Sequence, residues 1–107
     1  PLTARDVFAA WEAGDGIAER VLDDAVVCWG MAVANLVSLF NPEKVVLGGG
    51  LFGPAARFVD RIREEATRWA QPIAMARVRL EVTSLGPDAV LYGAARLALS
   101  DPSTSEA

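Results

Sequence analysis

The clearest potential for chemistry lies in three consecutive glycines, Gly48, Gly49 and Gly50, within the stretch VVLGGGLFGP at positions 45–54. In a turn between a strand and a helix, glycines allow positive φ angles and a close approach of ligand to backbone. The free N–H groups of the following helix favour an anion. Gly48, Gly50 and Gly53 also match the dinucleotide pattern G-x-G-x-x-G. The stretch is therefore a candidate nucleotide site, with a ligand-free turn as the alternative.

Two better-defined nucleotide motifs do not fit the rest of the chain. A dinucleotide-binding fold carries an acidic residue at the end of its second strand, whereas Glu81 lies inside the next predicted strand and no acid ends it. Pro54 directly after Gly53 also removes a backbone donor. A P-loop needs Gly-Lys-Ser or Gly-Lys-Thr after the glycines, and this chain has neither there.

Few other side chains offer chemistry. The chain has no histidine and a single cysteine, which excludes Ser-His-Asp and Cys-His catalysis, imidazole metal sites and an internal disulfide. We predict that this cysteine, Cys28, is an inert buried thiol. Structural roles explain the remaining candidates: helix caps for Asp15 and Asp88, early helical turns for Asp23 and Asp24, and core or lobe contacts for Trp11, Trp29 and Trp69. No catalytic or metal-ligating residue is assigned.

Composition limits the classes of protein that remain. The chain has 107 residues, of which 52% are apolar and 22% charged, and its net charge is −4. It is therefore one core-rich domain at most. Its basic residues are scattered, whereas nucleic-acid binding needs a cationic face. The single cysteine fits a reducing, cytoplasmic compartment. The start at Pro1, without a signal-peptide pattern, predicts a processed or excised piece.

Capping signals and periodicity predict four helices and two strands that would position the glycines. The helices span 4–13, Gly16–Phe40, 54–70 and 88–99, and the strands span Lys44–Leu47 and 78–83. The first strand is predicted to be fully buried and the second half-buried, and the helix between them makes the pair parallel. Residues 101–107 are predicted to form a flexible tail.

The second helix determines what is expected of the whole chain. It has no charge from Ala25 to Pro42 and is apolar nearly all round, so it should be covered on most sides. A membrane span is the alternative, but the run is shorter than the usual ~20 residues and contains Gly30, Asn35 and Ser38. Two strands alone do not form a stable sheet. We therefore expect part of a larger α/β protein, whose helix is covered by a partner chain or by self-association.

Three segments together resemble the C-terminal third of the ROK proteins (repressor, open reading frame, kinase). These are Asn41-Pro42-Glu43, the strand and glycine turn at 45–50, and Gly93-Ala94-Ala95 in the last helix, and the similarity runs over about 10–99. The resemblance implies the C-terminal part of an actin-like ATPase lobe (ribonuclease H-like, hexokinase-type), with helices on a small parallel sheet, incomplete as a fold on its own. Residues 1–100 would be this subdomain, and the turn at 48–50 would lie beside the adenosine of ATP.

The resemblance leaves two functions open and favours the first. One is the effector-sensing domain of a sugar-responsive transcriptional regulator, which would bind DNA only through a separate N-terminal domain. The alternative is a ROK sugar kinase that uses ATP with Mg²⁺, and an unrelated dinucleotide-binding or structural module is the remaining possibility. The family's Asp-x-Gly-x-Thr turn, catalytic aspartate and zinc site are absent from this sequence. The chain alone is therefore not expected to be a kinase. The expected partners are a sugar or sugar phosphate and further copies of the same chain, as a homo-oligomer. No membrane partner is expected.

Overall fold

The structure is a computed structural model that describes residues 1–100 and 102–105. Its elements, in chain order, are α1 (Ala4–Glu12), α2 (Gly16–Phe40), β1 (Lys44–Leu47), α3 (Val59–Trp69), α4 (Pro72–Arg77), β2 (Arg79–Val82), α5 (Ala89–Leu99) and α6 (Pro102–Ser105). Short 3₁₀ helices span Gly50–Phe52, Pro54–Phe58 and Gly86–Asp88. Of the tail predicted to be flexible, residues 101, 106 and 107 lie outside the described residues, and that prediction stays untested.

The first two helices begin and end at the capping signals of the sequence. Thr3 and Asp6 form a reciprocal capping box at the start of α1. Gly14 follows the helix with φ +86°, which suits glycine. The Asp15 side chain accepts hydrogen bonds from the N–H groups of Ile17 and Ala18, each at 2.9 Å, and so begins α2. These predicted boundaries are confirmed.

The two strands pair in parallel, as the sequence predicts. Lys44 lies opposite Arg79 and Leu47 opposite Val82. The ladder continues past β2, because the Thr83 N–H donates to the Leu47 carbonyl at 2.8 Å. Since the strands are parallel, the glycine turn after β1 and the turn after β2 leave the sheet at the same edge.

The core lies between α2 and α3. α2 contributes a stripe of small and apolar residues, and α3 with its preceding 3₁₀ helix contributes a matching stripe: Leu22, Val26, Val33, Ala34 and Val37 against Ala55, Phe58, Ile62 and Ala66. At the crossing, a Cβ atom on Gly30 would lie 2.6 Å from the Cβ of Glu65. Only glycine therefore lets the two helices come this close.

One prediction about β1 is wrong, and one helix after α3 was not predicted. β1 is not fully buried, since Val46 is 55% exposed. In the described part of the chain α3 covers one side of the strand pair, and the side chains that alternate to the other side remain open. Before the second strand lies α4, a short helix that the sequence signals did not predict. Pro72 occupies its first turn, and the Gln71 side chain accepts a hydrogen bond from the Ala74 N–H at 2.8 Å.

α2 is covered along one stripe and not on most sides. The opposite stripe is exposed and apolar, and it also carries Cys28, so the prediction of a buried thiol is wrong. By length and composition α2 is the one described helix that passes a membrane-span test, and a third of its most apolar window is buried inside the protein. Core helices of soluble proteins pass the same test, so the finding is weak support for a span.

Candidate functional site

A cleft of about 240 Å³ lies at the carboxyl edge of the strand pair. Three segments form its walls: the glycine turn after β1, the turn after β2, and the first two turns of α1. The lining residues are Ala4, Arg5, Phe8, Gly49, Gly50, Leu51, Phe52, Gly53, Pro54, Thr83, Gly86 and Pro87. The carboxyl edge of parallel strands is where open α/β sheets bind their ligands. The position alone therefore makes the cleft the candidate site.

The predicted glycines divide into two that line the cleft and one that supports it. Gly49, at φ +93°, has a backbone conformation that other residues rarely adopt. Gly50 begins a 3₁₀ turn that is closed by a hydrogen bond from the Phe52 N–H to the Gly49 carbonyl at 3.1 Å. Gly48 does not line the cleft. It lies against β2, and a Cβ there would meet Thr83 Cγ2 at 3.2 Å.

The turn after β2 forms the second wall, and the sequence analysis did not assign it to the site. Thr83 Oγ1 accepts a hydrogen bond from the Leu85 N–H at 3.1 Å, which closes a local turn. Gly86 follows with φ +70°, and at the next position the ring of Pro87 fixes its own φ angle. The signal was present in the sequence, because parallel strands bring their following turns together and Gly86-Pro87 follows the second strand.

The first turn of α1 forms the third wall and is held by its cap. The Asp6 carboxylate accepts from the Thr3 N–H at 2.7 Å and from the Thr3 hydroxyl at 2.8 Å. These bonds, first from the backbone and then from the side chain, lower the pKa of Asp6. The cap fixes the start of the helix, and with it the positions of Arg5 and Phe8 at the cleft.

Aromatic contacts anchor the walls to the core. The ring of Phe58 lies 5.1 Å from Trp11 and 6.2 Å from Phe8, measured between centroids. Trp29 of α2 contacts Phe52 of the glycine turn at 5.4 Å. Trp11 and Trp29 are therefore partly buried packing residues, as predicted, whereas Trp69 is 57% exposed.

The acidic residues to which the sequence analysis gave structural roles do not line the cleft. Asp15 caps α2, and Asp23 pairs with Arg61 at 2.5 Å. Asp88 stands at the start of α5, but its side chain makes no capping hydrogen bond, so its predicted role as a cap is wrong. The preceding 3₁₀ turn already leads into α5 there. Within residues 1–100 and 102–105, no group of three or more potential metal-ligating side chains occurs.

The walls of the cleft combine apolar side chains with exposed backbone. Small-molecule pockets usually enclose about 300–1,000 Å³, so this cleft has room for a portion of a larger ligand. Phe8, Phe52 and the prolines offer flat apolar surface, and the glycines expose backbone at short range. Among the residues that the structure describes, no acidic side chain lines the cleft.

A solved structure identifies the class of fold. The crystal structure of a protein from Cytophaga hutchinsonii, assigned as a sugar kinase, matches this chain with a TM-score of 0.76 at 24% identity. The match covers 94% of this chain and 33% of that protein. The chain therefore has the fold of part of an actin-like ATPase lobe, with helices packed on a small parallel sheet.

The family follows from the sequence comparisons. The ROK family model matches residues 1–101, and this chain belongs to the ROK family. A glucokinase from Halalkalibacterium halodurans is 36% identical over 86% of this chain and 28% of its own length. An N-acetyl-D-glucosamine kinase from Citrobacter koseri is 35% identical over 94% of this chain and 33% of its own length. The chain thus spans about a third of the length of each of these two relatives.

Proposed function

We propose that this chain forms the adenosine-binding wall of an ATP-dependent sugar kinase of the ROK family. The observation that carries the proposal is the meeting of two glycine turns, one containing Gly49 and Gly50 and the other Gly86, across a cleft at the carboxyl edge of the parallel strands. The relatives named above are kinases, and they favour this alternative over the transcriptional regulator expected from the sequence.

In this proposal the chain binds and orients the nucleotide and takes no part in proton transfer. Gly49 and Gly50 let the nucleoside approach the backbone, while Phe8 and Phe52 exclude water from its flat faces. ATP with Mg²⁺ would supply the phosphoryl group. Phosphoryl transfer also needs a residue that orients the sugar hydroxyl and groups that hold the metal. The proposal assigns these to the remaining two thirds of a kinase of the relatives' length, and the use of ATP implies a cytoplasmic enzyme.

The test is nucleotide binding and phosphorylation by the whole protein. Calorimetry measures the affinity for ATP, and a coupled assay measures ATP-dependent phosphorylation of glucose and of N-acetyl-D-glucosamine. We expect ATP binding and phosphorylation of one of these sugars. A protein that binds a sugar and DNA without binding ATP would contradict the proposal and support the regulator.

A pair of glycine variants connects the result to the cleft. Gly49→Ala forces a side chain onto a backbone at φ +93° and ψ 178°, a region essentially restricted to glycine, which costs about 1–3 kcal/mol and displaces the turn. We expect a higher Kd for ATP with sugar affinity unchanged. Gly16→Ala is the matched control, because Gly16 lies outside the cleft and a Cβ there meets nothing within 4 Å. Equal ATP affinity in both variants would show that the turn does not contribute to nucleotide binding.

A further inference from the structure

Among the described residues that line the cleft, Arg5 is the one with a charged side chain. It is exposed and lies in the first turn of α1. Four other arginines of the described chain have partners: Arg57 pairs with Glu12, Arg61 with Asp23 and Arg68 with Glu65, and Arg63 donates to backbone carbonyls. Within residues 1–100 and 102–105, Arg5 has no ion-pair or hydrogen-bond partner. A free guanidinium therefore stands at the cleft.

The stability of the helix does not account for this arginine. A cation in the first turn opposes the helix macrodipole, which favours acids at that end. Asp6, in the same turn, already supplies the favourable negative charge and completes the capping box. Arg5 is thus mildly unfavourable for α1, and its position at the cleft is the feature that remains to be explained.

The chemistry of the guanidinium restricts its ligand. Arginine offers five N–H donors and no acceptor, a fork that matches the oxygens of a phosphate. The exposed edge of adenine is a poorer match, because its N7 acceptor stands beside the N6 donor. The chain carries a net charge of −4, so an anion entering the cleft has to overcome general repulsion.

We infer that Arg5 binds the phosphate nearest the ribose and makes the cleft selective for nucleotides over nucleosides. The inference rests on the proposed function, since it places a nucleoside in the cleft. Arg5 acts as a specificity-determining residue for the nucleotide, and the reaction itself takes place elsewhere. Because the side chain is exposed, its contribution is screened by salt.

The test compares ATP, ADP and adenosine as ligands of the whole protein. Arg5→Gln removes the charge and keeps most of the stem, and it should weaken ATP and ADP binding about tenfold, as expected for one charge-assisted contact. Adenosine affinity should not change. The salt dependence of ATP binding should also become less steep, and Arg5→Lys should retain part of the affinity.

Arg20→Gln is the matched control, because Arg20 is an exposed arginine of α2 that does not line the cleft. It removes the same net charge and should leave all three affinities unchanged. If Arg5→Gln weakens adenosine as much as ATP, or weakens neither, the inference is wrong while the proposed function stands. If the unaltered protein binds neither adenosine nor ATP, the proposed function fails and the inference fails with it. Circular dichroism establishes that the variants remain folded.

Discussion

At the scale of single residues, the three consecutive glycines differ in what constrains them. Gly49 is needed for its positive φ angle. At Gly48 a Cβ would lie 3.2 Å from Cγ2 of Thr83, the residue after β2, so a side chain there requires that methyl group to shift. Gly50 has neither constraint. Its place in the cleft is thus compatible with a direct role toward a ligand.

The short distance between Gly48 and Thr83 predicts that a side chain at position 48 destabilises the fold. A smaller residue at position 83 should restore the lost stability. Gly48→Ala should destabilise the fold by about 1–3 kcal/mol through overpacking. Thr83→Ser removes the methyl group in the way but keeps the hydroxyl that accepts from Leu85, so the double variant should recover most of the loss. Urea unfolding of both single variants and the double variant measures the coupling. Strictly additive losses of unfolding free energy would show that the two positions are not coupled. Gly50→Ala, with open space around its Cβ, is the control.

The cap of α1 gives a prediction about pH. The pKa of Asp6 is lowered in the folded state, so its contribution to stability is fully present above the ordinary carboxyl value of about 4 and is lost as pH falls through the lowered value. An NMR titration of the Asp6 carboxyl should give a pKa below the ordinary range. Thr3→Ala should raise it part of the way, since the Thr3 N–H remains as a donor. A titration at or above the ordinary value would refute this account of the cap.

At the scale of elements, the crossing of α2 over α3 governs the arrangement. Gly30 lies in the middle of α2 and lets the Cβ of Glu65 come within 2.6 Å of where its own Cβ would be. The Asp23–Arg61 ion pair joins the same two helices nearer the start of α2. A close crossing carries α3 back along the strand pair and so places the second strand beside the first.

The importance of that crossing can be tested with Gly→Ala substitutions in two helices, for which we expect opposite effects on stability. Gly→Ala in an open helix position stabilises by up to about 1 kcal/mol. We expect this gain at Gly93 of α5, where nothing lies within 4 Å, when thermal unfolding is measured on the 107-residue chain. At Gly30 we expect a net loss, because overpacking outweighs propensity. A stabilised Gly30→Ala variant would show that the helices can separate at little cost.

Many of the element boundaries were predictable because they depend on local sequence signals. The ends of α1 and α2 follow from Thr3, Gly14 and Asp15, and the apolar run at β1 predicted its limits. The helix α4 was missed because its evident signal, Gln71-Pro72, also occurs in turns. The role of Gly30 was not predictable either, since a close approach depends on which residue of another helix lies opposite.

At the scale of the whole molecule, the chain exposes more surface than its mass requires. Its accessible surface is 7658 Å², whereas a compact monomer of 11.4 kDa has about 5,800 Å². Its radius of gyration is 16.9 Å, against about 13 Å for a compact domain of ~100 residues. The helix α5 accounts for part of the difference, because none of its residues is buried and Val90, Leu97 and Leu99 are each at least 74% exposed.

The exposed apolar area predicts association. Expressed as these 107 residues, the chain should form oligomers or bind a hydrophobic dye, because surfaces of this size on α2 and α5 favour contact with another protein surface. Multi-angle light scattering at several concentrations measures the mass. A monomer that also melts cooperatively would show that the prediction is wrong. The Gly93→Ala variant in the whole protein adds a check, since a close partner helix would turn the expected gain into a loss.

The candidate site shows where sequence reasoning reaches its limit. The glycine turn was predicted from its own composition. Thr83 and Gly86 required the additional knowledge that their turn meets the first one at the same sheet edge. Arg5 lies more than forty positions before the glycines in the chain, and no local pattern connects them. Its place at the cleft depends on α1 packing through Phe8 and Trp11 against Phe58.

The contact between Trp29 and Phe52 gives the protein an optical probe of its own. The indole sits in the middle of α2 and its neighbour is the last residue of the turn that begins at Gly50. Any movement of that turn changes the surroundings of one indole, while Trp11 and Trp69 stand elsewhere. Emission from a protein that retains Trp29 as its only tryptophan would therefore report movement of that turn without an added label.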